Sequence, residues 1–201
     1  MNAENEISVQ KFFLFAAGFE LCLGVLGWFV AYWSSDQVAP FFFYYDRTDL
    51  LKTAMAAIPL ALLAFAATTD FRKRVGFLNE IYQHIEKGLG PLISRLSVSE
   101  VIFLGVAAGV GEELLFRGAI QASFGLLGAS VLFGLLHSVS KTYALFAFAL
   151  GLYLGWLYQW TGNLMVPVLL HAGYDILALL LFRGALLRTE RSRTDKLDII
   201  A

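Results

Sequence analysis

Three ionisable side chains stand close together in GEELLFRG, positions 111–118 of an otherwise apolar part of the chain. They are Glu112, Glu113 and Arg117, and a charged group at the centre of a membrane span costs roughly 2.5–3.5 kcal/mol on insertion scales. Glu113 and Arg117 are four positions apart, so on a helix they share one face and can pair. Glu112 points about 100° away from Glu113 and is left free.

Two further polar stretches lie in apolar segments nearer the C-terminus. FGLLH ends at His137, and HAGYD runs from His171 to Asp175. His171 and Asp175 are also four positions apart, so their pairing would orient the imidazole. Pro167, one turn before His171, removes a backbone hydrogen bond and predicts a kink in its helix.

The depths of these groups in a membrane predict that they converge. At about 1.5 Å per residue, Glu112 lies roughly 21 Å from the cytoplasmic face of its segment. His137 and His171 lie roughly 16 and 10 Å from the opposite face. In a hydrocarbon core about 30 Å thick, all of them fall near mid-depth. We therefore expect a polar site enclosed between helices.

The residue types limit the chemistry of such a site. No serine or cysteine stands in a recognisable nucleophile motif, whereas a carboxylate, two imidazoles and a further carboxyl group are present. This set fits activation of a water molecule and attack on a carbonyl group, with a histidine polarising the oxyanion. It also fits a zinc or iron site, because glutamate and histidine bind both metals. Spacing alone does not separate the two readings.

Non-enzymatic readings use the same residues. The polar groups could form only structural contacts between helices, or they could form a proton relay in a transporter. Glu20, midway along the first apolar segment, fits transport slightly better than proteolysis, but it is expected to pair with another group or to reach the interface. An immunity factor that acts by binding is a further alternative.

The composition indicates where these groups must act. Hydrophobic residues make up 58% of the 201-residue chain and charged residues 15%, whereas soluble domains average roughly 45–50% and about 25%. The net charge of -1 gives no case for a nucleic-acid partner. We therefore expect an integral membrane protein in a lipid bilayer.

The apolar segments predict an all-α, polytopic membrane helix bundle with about six transmembrane helices. Several of the segments approach the ~20 residues that cross a bilayer. The segment Phe77–Leu96 alternates apolar and charged residues, which favours an additional interfacial helix over a polar loop. The six apolar segments are Phe12–Trp33, Leu51–Thr69, Val98–Phe116, Leu126–Val139, Tyr143–Tyr158 and Leu164–Phe182.

Basic residues predict the orientation of the bundle. They concentrate in the polar link 70–97 and in the tail 183–201, which includes Arg193 and Lys196. The positive-inside rule then places both termini in the cytoplasm, and the cell membrane is the expected location. We expect 1–201 to form a single membrane domain, with 183–201 as a polar cytoplasmic tail.

The three polar stretches, taken in order, carry a resemblance to a known family. EELLFR matches an EExxxR motif, FGLLH an FxxxH motif and HAGYD an HxxxN/D motif. Their order and their placement on successive membrane helices resemble the CPBP family of intramembrane proteases. That family includes CAAX prenyl endopeptidases of the Rce1 type and bacteriocin-processing and self-immunity proteins. The resemblance covers about 97–182, which is expected to form the protease core.

The resemblance implies a glutamic endopeptidase that needs no metal or other cofactor and acts on a peptide or membrane-protein substrate. Glu112 with His137 would activate the water. His171 and Asp175 would form or support the oxyanion site. In prenyl-protein proteases the last of these positions is asparagine, and an ionised aspartate cannot donate to an oxyanion. Asp175 would have to be protonated or to orient His171.

The remaining motif residues have supporting parts in the same resemblance. Glu113 and Arg117 would complete the first motif, and Phe133 would pack beside His137. This division agrees with the helical spacing, which separates Glu112 from Glu113. The resemblance implies neither a particular substrate nor an oligomeric state.

Overall fold

The computed structural model is helical through most of the chain that it describes, and it confirms the expected all-α membrane helix bundle. It describes the backbone of residues 3–34 and 46–200, and the side chains of residues 9–33, 46–189 and 191–192. The helices are α1 (Ala3–Ser34), α2 (Arg47–Thr68), α3 (Gly76–Gly88), α4 (Gly90–Ile93), α5 (Val98–Glu113), α6 (Gln121–Leu136), α7 (Lys141–Thr161) and α8 (Met165–Ile200). A 3-10 turn covers Asp70–Arg74, and a π-helical turn over Leu114–Ile120 joins α5 to α6.

Within the described residues, four helical segments are long and apolar enough to cross a membrane. Large apolar side chains on α1 and α2, such as Phe15 and Leu62, are exposed. Lipid is the solvent that suits such faces. The chain is therefore an integral membrane protein. The four segments are Val9–Trp33, Arg47–Thr68, Val98–Leu136 and Met165–Thr189.

The third predicted segment and most of the fourth, up to Leu136, lie in one 39-residue run of helix, which breaks at Gly125. Gly125 has φ 70° and ψ 176°, a conformation essentially restricted to glycine. The helix continues past the predicted end at Phe116 because the polar side chains beyond it have internal partners. Arg117 and Gln121 donate to carbonyl oxygens of α7, those of Gly151 and Gly155, at 3.3 and 3.0 Å.

Close backbone contacts hold α5 between α1 and α8. A Cβ on Gly109 would lie 2.6 Å from the backbone nitrogen of Ala172 on α8. A Cβ on Gly111 would collide with the carbonyl oxygen of Glu20 on α1. Small residues at such crossings let membrane helices approach closely. Because Ala172 follows His171, the contact at Gly109 sets which part of α8 faces the acidic end of α5.

The predicted interfacial segment is helical and forms α3 and α4. α3 buries Leu78, Ile81 and Tyr82, and the ring of Tyr82 packs against Phe182 of α8 with centroids 4.8 Å apart. Its position at the membrane surface stays a prediction.

The predicted orientation, with both termini in the cytoplasm, also stays a prediction. The side chains of Arg193 and Lys196, on which it partly rests, lie outside the described residues. The backbone of α8 runs through the predicted tail to Ile200, so the tail begins as a continuation of the last helix.

The expected kink at Pro167 is wrong. α8 begins at Met165, so Pro167 lies in its first turn. Backbone N–H groups there have no partner within the helix, and a proline in that position removes no helical hydrogen bond.

Gly109→Ala is expected to destabilise the bundle, because the added methyl group would overlap the backbone of α8. Overpacking of this kind costs about 1–3 kcal/mol, so the midpoint of thermal unfolding in detergent should fall. Gly18→Ala is the matched control, since nothing lies within 4 Å of its Cβ position and alanine favours a helix over glycine. An unchanged or raised midpoint for Gly109→Ala would contradict the described packing of α5 on α8.

Candidate active site

Glu113, the last residue of α5, connects two helices through its carboxylate. Its side chain and that of Arg117 are completely buried, and Nε of Arg117 lies 3.0 Å from Oε2 of Glu113. The other oxygen, Oε1, lies 2.8 Å from Nδ1 of His171 on α8. The expected pairing of Glu113 with Arg117 is therefore present, and the same carboxylate also holds His171.

Arg117 has further partners that explain how its charge is accommodated. Its Nη2 donates to the carbonyl oxygen of Gly151 on α7 at 3.3 Å. Its guanidinium carbon lies 5.3 Å from the centroid of the Phe133 ring, within the ~6 Å range of a cation–π interaction. A buried charge is tolerated when it is paired and hydrogen-bonded. Arg117 is paired with Glu113 and makes the hydrogen bond to Gly151, whereas its Nε and Nη1 have no hydrogen-bond partner among the described residues.

The ring of His171 is oriented chiefly by Glu113 and not by Asp175. Because Glu113 is ion-paired to Arg117, its oxygen accepts and Nδ1 of His171 donates. The expected approach of Asp175 is present at the other nitrogen, where Oδ2 lies 3.6 Å from Nε2. Oε2 of Glu112 lies 3.9 Å from the same Nε2. The ring nitrogen that faces the site is therefore Nε2, between two carboxylates.

His137, directly after α6, is held by the main chain and by an aromatic ring. Its Nδ1 lies 2.8 Å from the carbonyl oxygen of Phe133, and since a carbonyl oxygen only accepts, Nδ1 donates. The two rings stack with centroids 4.4 Å apart, which confirms the expected packing of Phe133. Nε2 of His137 then faces Oε1 of Glu112 at 3.5 Å.

Glu112 is the carboxylate that faces both imidazoles. Its side chain is buried, and its Oε2 has no hydrogen-bond partner among the described residues. The separations of 3.5 and 3.9 Å from the two Nε2 atoms are longer than an ordinary hydrogen bond. Polar groups at such distances are commonly bridged by water.

A cavity of about 220 Å³ opens beside these groups. Its polar wall includes Glu112, His137, His171 and Asp175, and its apolar wall comes largely from α2, α3, α7 and α8. Sequence reasoning missed Tyr143 and Tyr174, which also line it. Tyr174 lies inside HAGYD, so that motif offered a signal, whereas no motif includes Tyr143.

The described residues include no group of three or more His, Cys, Asp or Glu side chains placed to share a metal ion. The two histidines instead use their Nδ1 atoms in hydrogen bonds and turn Nε2 toward Glu112. An arrangement of this kind is suited to moving protons between a carboxylate, water and imidazoles.

Fold and site together define a polytopic helical membrane protein with an enclosed Glu–His site. Residues 94–177 match the sequence model of the family described as type II CAAX prenyl endopeptidase Rce1-like. The chain is also 32% identical over 173 residues to the uncharacterized protein YpbD of Bacillus subtilis (strain 168), across 80% of this chain and 86% of YpbD. The chain belongs to the Rce1-like family. No solved structure matches it.

Family membership confirms the resemblance drawn from the three motifs and implies an intramembrane protease. The matched range holds every predicted site residue from Glu112 to Asp175. Glu20 lies outside it.

Arg117→Met is expected to destabilise the protein severely, because it leaves Glu113 buried beside His171 without its cationic partner. Breaking one side of a buried ion pair costs about 3–5 kcal/mol. Unfolding by denaturant in detergent measures the loss. The double variant Glu113→Gln with Arg117→Met should recover part of it, since the uncompensated carboxylate is then gone.

Lys73→Met provides the control for the loss of a cation. Lys73 pairs with Asp70 at 2.6 Å, with both side chains exposed, and pairs in water contribute little to stability. If Arg117→Met were as mild as Lys73→Met, Arg117 would not be the anchor described here.

Proposed function

We propose that this protein is a membrane-embedded endopeptidase of the glutamic type, which hydrolyses a peptide bond of a membrane-associated protein or peptide. The observation that carries the proposal is the position of Glu112. Its carboxylate lies 3.5 Å from Nε2 of His137 and 3.9 Å from Nε2 of His171, at the wall of the cavity. Family membership supplies the reaction class.

The hydrogen bonds of His137 support a water molecule between it and Glu112. Because Nδ1 of His137 donates to Phe133, a neutral ring presents an unprotonated Nε2 to Glu112. An ionised Glu112 also presents only acceptors, and two acceptors cannot hydrogen-bond to each other. A water molecule that donates one proton to each side satisfies both.

Peptide-bond hydrolysis then follows from proton transfer at Glu112. The water oxygen attacks the carbonyl carbon of the substrate while Glu112 takes the water proton as general base. When the tetrahedral intermediate collapses, the C–N bond breaks and the proton passes from Glu112 to the leaving amine nitrogen. Glu112 ends the cycle ionised, as it began.

His171 is the proposed donor to the oxyanion. Its Nδ1 already donates to Glu113, so Nε2 can donate only when the ring carries both protons. An imidazolium in this position is surrounded by Glu112, Glu113 and Asp175, which balance its charge. Its Nε2–H stabilises the oxyanion as negative charge develops. In this scheme Asp175, whose Oδ2 lies 3.6 Å from Nε2 of His171, stabilises the imidazolium through its negative charge. The absence of an asparagine donor at that position therefore does not prevent the reaction.

Two kinds of substrate are candidates for this site. The family description names CAAX prenyl endopeptidases, so a prenylated protein is one candidate, and a bacteriocin precursor is another. The apolar wall of the cavity is compatible with either. We further propose that the protein acts in the cell membrane with both termini in the cytoplasm.

Glu112→Gln is expected to abolish cleavage, because the amide cannot accept the water proton. The measurement compares protein N-termini across whole cells that express the wild type or a variant at matched levels. N-termini produced by the wild type should fall about 10²–10⁴-fold in Glu112→Gln and in His137→Ala.

Glu80→Gln is the matched control, since Glu80 is exposed on α3 and its substitution should leave the same N-termini. The proposal fails if folded, abundant Glu112→Gln protein yields every N-terminus that the wild type yields. If the Glu112→Gln protein protects cells against a bacteriocin to the same degree as the wild-type protein, the result would instead indicate immunity by binding.

Metal removal separates the glutamic mechanism from a metalloprotease that uses the same side chains. Purified protein dialysed against a chelator is expected to keep its rate on the peptide identified above. Elemental analysis should find no stoichiometric zinc or iron. Loss of the rate, with recovery on addition of zinc alone, would establish the metalloprotease reading.

A further inference from the structure

Glu20 is a half-buried titratable group that the proposed mechanism does not use. It lies within the span Val9–Trp33, and its Oε2 is buried without a hydrogen-bond partner among the described residues. An unpaired charge near the centre of a span costs roughly 2.5–3.5 kcal/mol. The sequence led us to expect that Glu20 would be paired or would reach the interface, and this oxygen does neither.

The packing of α1 on α5 places Glu20 beside the active site. A Cβ on Gly111 would collide with the carbonyl oxygen of Glu20, and a Cβ on Gly24 would lie 3.3 Å from Cα of Gly111. One turn further along the same face, Gly27 abuts the backbone of Leu115. The two helices are thus in backbone contact at this crossing, and the residue after Gly111 is Glu112.

Titratable groups from three helices act on Glu20. Glu112 of α5, His137 at the end of α6, and His171 and Asp175 of α8 all lie within electrostatic reach of it. The histidines are already engaged, since Glu113 holds His171 and both Nε2 atoms face Glu112. Arg117 neutralises Glu113, so the single positive charge of His171 faces the two carboxylates of Glu112 and Asp175, and one negative charge near Glu20 has no counter-charge.

Two carboxyl groups that share a low-dielectric site do not ionise independently, and one of them retains its proton. The negative charge of Glu112 is stabilised by Nε2 of His171, which carries a proton in the proposed scheme and lies 3.9 Å from Oε2 of Glu112. Glu20 offers a carboxylate oxygen with no donor near it. The charge is therefore more stable on Glu112, and the proton is more stable on Glu20.

We propose that Glu20 and Glu112 form a coupled carboxyl pair across the contact between α1 and α5, in which Glu20 holds a proton while Glu112 carries the charge. Glu20 is then a positioning residue that acts through Glu112. Its catalytic consequence rests on the proposed function, whereas the existence of the pair can be tested without any substrate.

The pair has a consequence for the pH dependence of cleavage. When Glu20 loses its proton at higher pH, a new negative charge arises beside the site and opposes the charge that develops on the oxyanion. The cleavage rate of the wild type should therefore fall on the alkaline side. This fall should move to higher pH in Glu20→Gln and should persist in Glu20→Asp, which keeps a titratable group. A merely structural role for Glu20 would change the rate without moving the profile.

Infrared spectroscopy of the full chain in liposomes tests the pair directly. At neutral pH the spectrum of the wild type minus that of Glu20→Gln should show the carbonyl band of one protonated carboxyl group. Asp49→Asn is the matched control: Asp49 is also buried, but it accepts from Asn163 at 2.7 Å and from Lys52 at 3.3 Å. Its substitution should leave the protonated band in place.

The coupling is measured by titrating the same band in Glu112→Gln. Without the charge on Glu112, Glu20 should lose its proton at a pH lower by about one unit or more. The proposal is overturned if the protonated band is missing from the wild type. It is also overturned if the band titrates identically in the wild type and in Glu112→Gln, a comparison that needs no folded Glu20 variant.

The outcomes separate this inference from the proposed function. If the protonated band titrates at a different pH in Glu112→Gln but the wild type cleaves nothing, the carboxyl pair would be supported and the protease function would be contradicted. If cleavage requires Glu112 but no such band is found, the protease function would be supported and the carboxyl pair would be contradicted.

Discussion

The buried carboxylate of Glu113 is the interaction on which the rest of this site depends. One oxygen lies 3.0 Å from Nε of Arg117 and the other 2.8 Å from Nδ1 of His171. Removing either partner would leave charge or polarity uncompensated in a dry interior, at a cost of several kcal/mol. The π-helical turn after α5 and the polar part of α8 are therefore locked in one register. The close approach of Gly109 to Ala172 supports the same register through packing.

The bridge also determines where the protons lie. Glu113 uses the Nδ1 proton of His171, and the carbonyl oxygen of Phe133 uses that of His137. Both rings consequently turn Nε2 toward Glu112, the carboxylate that we propose as the general base. The two adjacent glutamates thus have different partners, because successive residues of a helix point about 100° apart. The first faces the cavity and the second holds the site together.

Local spacing made part of this predictable. The separation of four positions places Glu113 and Arg117 on one face, and the three motifs identify the polar groups that meet. The bond from His171 to Glu113 was not predictable in this way, because it joins residues 58 positions apart. It depends on how α5 and α8 cross. The glycine contacts determine that crossing, and the hydrophobic periodicity of the sequence does not predict it.

The break at Gly125 and the absence of a kink at Pro167 also depend on where the helices begin and end in space. Glu20 lies beside the site only because α1 contacts Gly111, so its sequence context pointed elsewhere.

The positions of the protons on the histidine rings provide the most direct test of the proposed site. The chain has only three histidines, so the 15N NMR spectrum of histidine-labelled protein in liposomes can be assigned with single His variants. The account predicts that Nδ1 of His171 carries a proton in a strong hydrogen bond, and that its signal shifts in Glu113→Gln but not in Glu80→Gln. A His171 ring protonated only at Nε2, with a signal insensitive to Glu113, would contradict the bridge and the site built on it.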